Sequence, residues 1–425
     1  MEKIGRRALV GCALLALFVA GLIASIRKGT SELPVYVRAG ERMLDGQNIY
    51  VPQEDKPFTY PPFFALPFVP LTKVPTTLRR GVWYVANVGM LGLVLMLLVR
   101  AMRPFILANA GPRAPPMWLF WLVVAALAAR HITAVFENQS HDFVILGAIA
   151  LTATASMKAN ELRAGAWAGA GAACKATPLL FAPILAAQRR FAAALAVCVC
   201  AAAFTVLPDL LLPQANGQLW VTSWFQTFVA QLTPGDAPEA AGAWAKWNIL
   251  NQNLAGTIYR LSVPIDRVGP HHFDVSLWRP SETLLRWTTR AALFAVVAFV
   301  VFVTRPRASR ELPFRRFGET AAVACAMVLL SPMSSKSHFC VLLLPITFCV
   351  ADFLYRKRDL AVGGLLVFVF VSGTLTAKGI VGRELGNAVL ARGSITWTAV
   401  ACLLATGHIL FHRERPRRGA HPAES

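Results

Sequence analysis

Glu32 is the residue of this sequence whose type and position best suit acid–base chemistry. It follows the apolar segment at residues 8–26 closely, so its carboxylate would lie near the surface of a membrane that this segment crosses. A glutamate with an ordinary pKa of about 4.3 is ionised at neutral pH and can accept a proton from a hydroxyl group. The alternative is structural, because Ser31-Glu32-Leu33-Pro34 also has the pattern of a helix N-cap, which is the commoner use of such residues.

Three cations have positions that suit a phosphate ligand. Lys175 lies in the run Lys175-Ala176-Thr177-Pro178 inside an otherwise apolar stretch, and Arg79 and Arg80 precede the apolar segment at 82–102. Ammonium and guanidinium groups make charge-assisted hydrogen bonds to phosphate. Each of these side chains could instead extend its charged end toward a polar interface, which leaves a structural alternative open.

Histidine and amide side chains form a third group of candidates. His338 begins an apolar segment, and Asn138-Gln139 and Asn251-Gln252 are rich in groups that suit a hydroxyl-bearing ligand, although helix capping explains them equally well. The sequence contains no P-loop, GxSxG, HExxH or CxxC pattern. This argues against an ATPase, a serine hydrolase of the usual kind and a zinc enzyme, and no metal site is predicted.

The composition predicts that these residues belong to an integral membrane protein. Of the 425 residues, 56% are hydrophobic and only 15% are charged, which is too apolar for a soluble protein of this size. The net charge of +20 could indicate a nucleic-acid partner. However, the basic residues collect in short runs between apolar segments, so we expect these runs to face the cytoplasm and expect no nucleic acid.

Apolar segments near the length needed to cross a bilayer predict about ten transmembrane spans. They are residues 8–26, 82–102, 117–135, 143–157, 191–207, 287–304, 317–333, 339–354, 361–376 and 395–411. Both termini are then cytoplasmic, and residues 27–81 and 208–286 form large outer loops. We expect a single all-α membrane domain over residues 1–425, with no soluble second domain.

Two stretches predict something other than a simple span. Residues 164–188 have basic residues on both sides, so a single span would place one basic group on the wrong side of the membrane. We predict a re-entrant pair of helices that enters and leaves on the cytoplasmic side, with Lys175 at the deep turn and Pro178 ending the first helix. The proline-rich residues 61–75 predict a helix that lies parallel to the outer membrane surface.

Several runs of the sequence are specific in combination, although each is weak alone. They are ELPVYVRAGERMLDGQNIY, FTYPPFFALPFVPL, ENQSHDFVILGAIAL, AGAWAGAGAACKATPLLFAPILAAQRR, NQNLAG and LLSPMSSKSHFCVLLLP. Together they resemble glycosyltransferase family 87 of the GT-C superfamily, the polyprenyl-phosphate-mannose-dependent mannosyltransferases, over most of the chain. The resemblance implies a polyprenyl-phosphate-linked sugar as donor, most often mannose, and a lipid-linked or glycan acceptor. It also implies inversion of the anomeric centre, an active site at the outer face of the cytoplasmic membrane, and no further cofactor.

The resemblance also assigns roles to individual residues. The family's acidic residue falls on Glu32, where aspartate is usual, which implies that Glu32 is the catalytic base. The family pattern SPxSWxHH reads SPMSSKSH here, so that His338 keeps the second histidine position and is a second catalytic candidate. The ring faces of Tyr36 and Tyr60 would stack on sugars. The cations that could hold the leaving phosphate are Lys175, Arg79, Arg80 and Lys336.

Two other classes of protein remain possible from the sequence. A transporter or flippase of a lipid-linked sugar would share the many helices, the broken pair and the buried lysine. The acidic residue in the first outer loop favours an enzyme, because a transporter does not need it. A structural membrane subunit would scatter its polar residues, whereas here they gather toward one side.

Overall fold

In the computed structural model, the chain is described over residues 2–27, 32–230, 244–265, 274–306 and 313–412, with side chains from residue 15 onward. These residues form helices and contain no strand, so the predicted all-α class is confirmed. The helices are α1 (Glu2–Arg27), α2 (Leu33–Leu44), α3 (Pro62–Thr72), α4 (Thr76–Asn109), α5 (Met117–Asn138), α6 (Asp142–Met157), α7 (Glu161–Cys174), α8 (Thr177–Ala187), α9 (Phe191–Leu211), α10 (Trp220–Trp224), α11 (Leu254–Ser262), α12 (Glu282–Thr304), α13 (Pro313–Leu330), α14 (Lys336–Tyr355), α15 (Leu360–Leu375), α16 (Lys378–Val381), α17 (Arg383–Ala391) and α18 (Ser394–His412).

Within the described residues, six helices are long and apolar enough to cross a membrane, namely α4, α5, α9, α12, α14 and α18. Every segment predicted to span lies on a helix, although segment 317–333 extends past the end of α13 at Leu330 and segment 361–376 past that of α15 at Leu375. Helices α6 and α15 are shorter than the six. Helix α13 carries Arg315, Arg316 and Glu319 in its first two turns, which lowers its hydropathy. The protein is therefore a multi-pass helical protein by length and composition, and the number of ten spans stays a prediction.

Close packing of α7 on α9 fixes the position of the segment that ends at Lys175. A Cβ atom added at Gly165 would lie 2.2 Å from the carbonyl oxygen of Ala193, and one added at Gly169 would lie 2.6 Å from that of Val197. Only glycine fits at such distances, and glycines four residues apart are a common device for bringing two membrane helices together. The glycine-rich sequence of α7 is thus explained by its contact with α9.

The predicted break at Lys175 is present. Helix α7 ends at Cys174, Lys175 is extended (φ −157°, ψ 121°), and α8 starts at Thr177 with a 3₁₀ turn that includes Pro178. The start of α7 and the end of α8 lie together, since Arg190 Nε is 2.7 Å from Glu161 Oε2. The two helices therefore form a hairpin with Lys175 at its tip, while the depth at which this hairpin enters a membrane stays a prediction.

Helices α2 and α3 form a compact unit in the first large loop. A Cβ atom at Gly40 would lie 2.9 Å from the backbone of Phe68, so the two helices cross in direct backbone contact. Ion pairs connect Glu54 to Arg38 at 2.8 Å and to Arg42 on α2. These contacts hold the first large loop in place, and they therefore fix the orientation of α2 and the position of its N-terminal residues.

Candidate active site

Six ionisable or polar side chains from different parts of the chain meet at one end of the helices. Glu32 and Tyr36 come from the start of α2, and His141 and Asp142 come from the turn into α6. Lys175 comes from the tip of the hairpin and His338 from the first turn of α14. We call these six residues the polar cluster, and each of them is at least partly buried.

The side chain of Glu32 does not cap its helix. Glu32 occupies the N-cap position of α2, but it makes no side-chain capping hydrogen bond. Its Oε2 instead accepts a hydrogen bond of 2.5 Å from the hydroxyl of Tyr36, and its backbone N–H donates to the carbonyl of Asn138 at 2.9 Å. The sequence left two roles open for Glu32, a helix cap and a catalytic carboxylate. The structure argues against side-chain capping and shows a carboxylate that Tyr36 holds in place.

The surroundings of Glu32 bring its proton affinity close to neutral pH. Burial raises the pKa of Glu32 to about 7, and the negative charge of Asp142 acts in the same direction. The hydrogen bond from Tyr36 and the positive charge of Lys175 partly oppose this rise. A carboxyl group with such a pKa is well matched to accept a proton during reaction at neutral pH.

A hydrogen-bonded chain connects His141 to Glu32 through Tyr36. The Tyr36 oxygen lies 3.0 Å from His141 Nδ1. Burial lowers the pKa of His141 to about 3 and raises that of Tyr36 well above its usual value, so both groups are neutral. Because the single hydroxyl proton of Tyr36 goes to Glu32, we infer that Nδ1 of His141 carries a hydrogen and donates it to the Tyr36 oxygen.

The role predicted for the Tyr36 ring differs from the one in the structure. Tyr36 is fully buried, and its ring packs against Phe64 and Phe68 with ring centroids 5.2 and 5.0 Å apart. Its faces are therefore covered, and only its hydroxyl reaches the polar cluster. Tyr60 is half-buried with its ring 4.5 Å from that of His141, so the FTYPPFF run forms an aromatic shell around this chain of hydrogen bonds.

Asp142 joins the hairpin tip to the start of α6. Its Oδ1 accepts a hydrogen bond of 3.0 Å from Lys175 Nζ, and its Oδ2 accepts one of 2.9 Å from Ser140 Oγ. Asp142 is the first residue of α6, where the positive end of the helix dipole also favours a carboxylate. An ammonium group has three N–H donors, and this pair uses one of them, so Lys175 keeps donors for a further oxygen.

His338 also lies near the Asp142 carboxylate. Its Nδ1 accepts a hydrogen bond of 3.2 Å from the backbone N–H of Ser335, which leaves the hydrogen on Nε2. Nε2 lies 4.0 Å from Asp142 Oδ1. Ser337 stands where the family pattern has its first histidine, and its hydroxyl lies 2.8 Å from that of Ser335. The departure from the pattern thus places a buried hydroxyl where the family has an imidazole.

The space beside these groups is narrow. A cavity of about 10 Å³ is lined by Asp142, Lys175, Thr177 and His338 together with residues at the end of α13. This is roughly the space occupied by one water molecule. The polar cluster is therefore closely packed at this point.

The structure does not bring Arg79 and Arg80 into the polar cluster. Arg79 donates hydrogen bonds of 2.8 Å to the carbonyls of Val74 and Thr72 and pairs with Glu41 at 3.2 Å. Arg80 donates to the carbonyl of Ile26 at 3.2 Å. These contacts position α4 against α1 and the first loop.

Lys336, another predicted phosphate ligand, lies half-buried at the start of α14, two residues before His338.

The predicted amide residues support the site from outside. Asn138 contributes its backbone carbonyl to Glu32, and Gln139 Nε2 donates to the carbonyl and hydroxyl oxygens of Ser25, both at 2.8 Å. Asn251 Oδ1 accepts from the N–H of Ser334 at 3.1 Å, and the N–H of Gln252 donates to the carbonyl of Ser334 at 2.7 Å. Asn251 and Gln252 therefore brace the turn that carries His338.

Sequence reasoning missed two members of the polar cluster, His141 and Asp142. The signal was the run ENQSHDF, in which an acidic residue begins an apolar helix. Among the described residues, no three His, Cys, Asp or Glu side chains lie in an arrangement that could hold a metal ion.

The fold and the site define a multi-pass helical membrane protein with a carboxylate, a lysine and a histidine gathered at one end of its helices. The sequence profile of Glycosyltransferase family 87 matches residues 58–332 of this chain, which is more than half of its length. The chain therefore belongs to this family, as its motifs predicted. The matched region includes Asp142 and Lys175 but not Glu32 or His338.

Two characterised proteins are similar to this chain. One is the polyprenol-phosphate-mannose-dependent alpha-(1-2)-phosphatidylinositol mannoside mannosyltransferase of Mycolicibacterium smegmatis (strain ATCC 700084 / mc(2)155), 24% identical over 408 residues that cover 90% of this chain and 84% of the relative. The other is the crystal structure of ArnT from Cupriavidus metallidurans bound to undecaprenyl phosphate. It is 14% identical, with a TM-score of 0.40, and covers 94% of this chain and 78% of that one. Such a TM-score is too low to infer the arrangement of individual helices.

Proposed function

We propose that this protein transfers a sugar, most often mannose, from a polyprenyl-phosphate donor to a hydroxyl group of a lipid-linked or glycan acceptor. The observation that carries the proposal is the Glu32 carboxylate, which Tyr36 holds at 2.5 Å beside the Lys175–Asp142 pair. Membership of Glycosyltransferase family 87 supports glycosyl transfer. The name of the Mycolicibacterium smegmatis relative supports a polyprenol-phosphate-mannose donor.

In the proposed reaction, Glu32 is the general base. It takes the proton from the acceptor hydroxyl as that oxygen attacks the anomeric carbon of the donor sugar. The hydroxyl of Tyr36 keeps the carboxylate in one orientation. The pKa of about 7 gives Glu32 enough affinity to accept the proton and to release it after the product leaves.

Lys175 holds the phosphate that leaves. The bond between the anomeric carbon and the phosphate oxygen breaks as the new glycosidic bond forms, and the negative charge that develops on the polyprenyl phosphate is stabilised by the lysine ammonium. Asp142 positions this ammonium through its Oδ1, and His338 Nε2 lies 4.0 Å from the same oxygen. A single displacement with the base and the leaving group on opposite faces of the sugar inverts the anomeric centre.

The reaction is assigned to the outer face of the cytoplasmic membrane, with residues 27–81 and 208–286 in outer loops of a single membrane domain. Basic runs on the opposite side of the helices support this orientation. Single cysteines at Asn48, in the first loop, and at Gly111, in the turn between α4 and α5, test it. A membrane-impermeant thiol reagent added to intact cells should label the first and not the second, and the reverse result would contradict this assignment.

A transfer assay tests the proposed function. Membranes containing the protein are incubated with polyprenyl-phosphate mannose labelled in the sugar, and the label is followed into lipid and glycan fractions, with the Glu32→Gln variant as control. We expect label in a product whose anomeric configuration is opposite to that of the donor. Unchanged donor that only crosses between the leaflets of sealed vesicles would instead support the transporter or flippase.

A further inference from the structure

A second cavity lies at the opposite end of the helices from the polar cluster. It has a volume of about 730 Å³ and is formed by residues at the ends of α4, α6, α14 and α18 and the start of α13. Helix α6 has Asp142 at one end and reaches this cavity at Met157. Its 16 residues correspond to a separation of about 24 Å between the two sites.

Most of the cavity wall is apolar. The rings of Phe105 and Phe314 stack with their centroids 3.5 Å apart, and the Phe348 ring lies 4.5 Å from that of Phe314. All three rings line the cavity together with aliphatic side chains of α4 and α18. Such a wall suits hydrocarbon chains, and the volume accommodates the upper part of a lipid but no complete phospholipid.

The cavity also carries four basic side chains, and no acidic side chain lines it among the described residues. Arg315 is paired with Glu319 at 2.7 Å, and Arg356 lies 3.7 Å from Asp352. The other two, Arg100 and Lys158, are exposed. Neither has a side-chain hydrogen bond or ion pair with any described part of the chain. The wall therefore combines an apolar surface with two cations that are available to an anion.

We propose that this cavity binds one anionic glycerophospholipid of the bilayer. Its phosphate contacts Arg100 and Lys158, and the upper parts of its acyl chains lie against Phe105 and Phe314. Basic pockets between membrane helices recognise anionic head groups in this way. A bulk phospholipid fits better than the polyprenyl phosphate of the proposed reaction, because the cavity lies at the far end of the helices from the groups that would use that donor.

Native mass spectrometry of the purified full-length protein tests this proposal. The protein is titrated separately with phosphatidylglycerol, phosphatidylcholine and undecaprenyl phosphate, and the bound lipid is counted at each concentration. We expect one phosphatidylglycerol to bind more tightly than either other lipid. In Arg100→Ala/Lys158→Ala its affinity should fall by roughly 30-fold, since each basic residue near the membrane surface contributes to the attraction of an anionic lipid.

Two further variants make the test specific. Arg103→Ala/Arg113→Ala removes two exposed arginines of the same region that do not line the cavity, and it should bind phosphatidylglycerol like the parent. Ala108→Trp keeps all the charges but fills the cavity from an exposed lining position, and it should bind less. The proposal would be overturned if both double variants lost the same affinity for phosphatidylglycerol, or if Arg100→Ala/Lys158→Ala bound it like the parent. It would also be overturned if the parent bound undecaprenyl phosphate more tightly than phosphatidylglycerol.

Discussion

The two ends of the helices differ in how their partly buried carboxylates are paired. At the end opposite the polar cluster, both oxygens of Glu161 are paired, with Arg190 at 2.7 Å and Arg316 at 2.9 Å. Arg190 and Arg316 also hydrogen-bond Ser156, so the starts of α7, α9 and α13 are joined. In the polar cluster, Glu32 has no cation within ion-pairing distance among the described residues, and its side chain is hydrogen-bonded there to the neutral hydroxyl of Tyr36.

The difference in partners suggests that Glu161 has a structural role and Glu32 a chemical one. A carboxylate that is hydrogen-bonded to two arginines is held in place by both and connects the helices that carry them. A buried carboxylate with one hydroxyl partner keeps a proton affinity near neutral pH, which a base needs. We therefore expect isosteric changes at the two ends to affect different measurements.

The largest effect is expected from Glu32→Gln. Glutamine keeps the size of the side chain and can still accept a hydrogen bond from Tyr36, but it cannot take a proton. We expect the turnover of sugar transfer to fall by roughly 10²- to 10⁴-fold. Glu32→Asp should retain part of the activity, since aspartate is usual in the family at this position. Turnover is measured on equal amounts of folded protein, and near-parental turnover of Glu32→Gln would remove Glu32 from the mechanism.

A smaller loss is expected when Lys175 is changed. Lys175→Met alone leaves Asp142 buried without its cation, so the informative variant is Lys175→Met/Asp142→Asn, which removes both charges. If the ammonium holds the donor phosphate, donor use (kcat/KM) should fall by about 10- to 100-fold, as expected for a hydrogen bond to a charged group. Asp142→Asn alone is the control, and equal kinetics in the two variants would make Lys175 a structural residue.

Glu161→Gln should change stability and leave chemistry intact. The substitution weakens two charge-assisted contacts at a partly exposed side chain, so we expect a loss of about 1–3 kcal/mol in the free energy of unfolding. The midpoint of thermal inactivation in detergent should fall, while turnover per active molecule stays parental. A fall in turnover at a temperature where the variant is fully folded would show that the far end also contributes to catalysis.

The smallest effect is expected from Tyr36→Phe. The hydroxyl of Tyr36 lowers the pKa of Glu32 by donating to its ionised form, so its removal should raise that pKa further. Activity requires the ionised carboxylate, and the acid side of the pH–rate profile should therefore move to higher pH. Tyr60→Phe, which keeps the aromatic shell, is the matched control. A profile that does not move would show that the 2.5 Å hydrogen bond has no influence on the base.

The sequence predicted those features that depend on local pattern. The break at Lys175 follows from the Lys-Ala-Thr-Pro run, and the position of Glu32 at the start of a helix follows from Leu33-Pro34. The contacts of the polar cluster did not follow, because Tyr36 and His141 are 105 residues apart in the chain and Asp142 and Lys175 are 33 apart. Only the packing of the helices brings such groups together, and Asp142 was missed for this reason.

The same limit explains the cations that the structure leaves outside the cluster. Arg79 and Arg80 were predicted as phosphate ligands because they are basic residues on the outer side of a span. Arg79 donates to two backbone carbonyls of the first loop and Arg80 to one carbonyl of α1, and a sequence pattern does not reveal such contacts. The sequence thus shows which residues are charged and on which side of a span they are expected, but it does not show which groups they contact.

The pH dependence of transfer in the parent and in Glu32→Gln tests most directly whether Glu32 is the base. Initial rates at limiting donor are measured on each protein between about pH 5 and 9. We predict that the parental rate rises with pH through a midpoint near 7, the pKa of Glu32, and that the residual rate of Glu32→Gln shows no rise in this range. A residual rate that still rises through the same midpoint would contradict the account, because another group would then be the one that ionises.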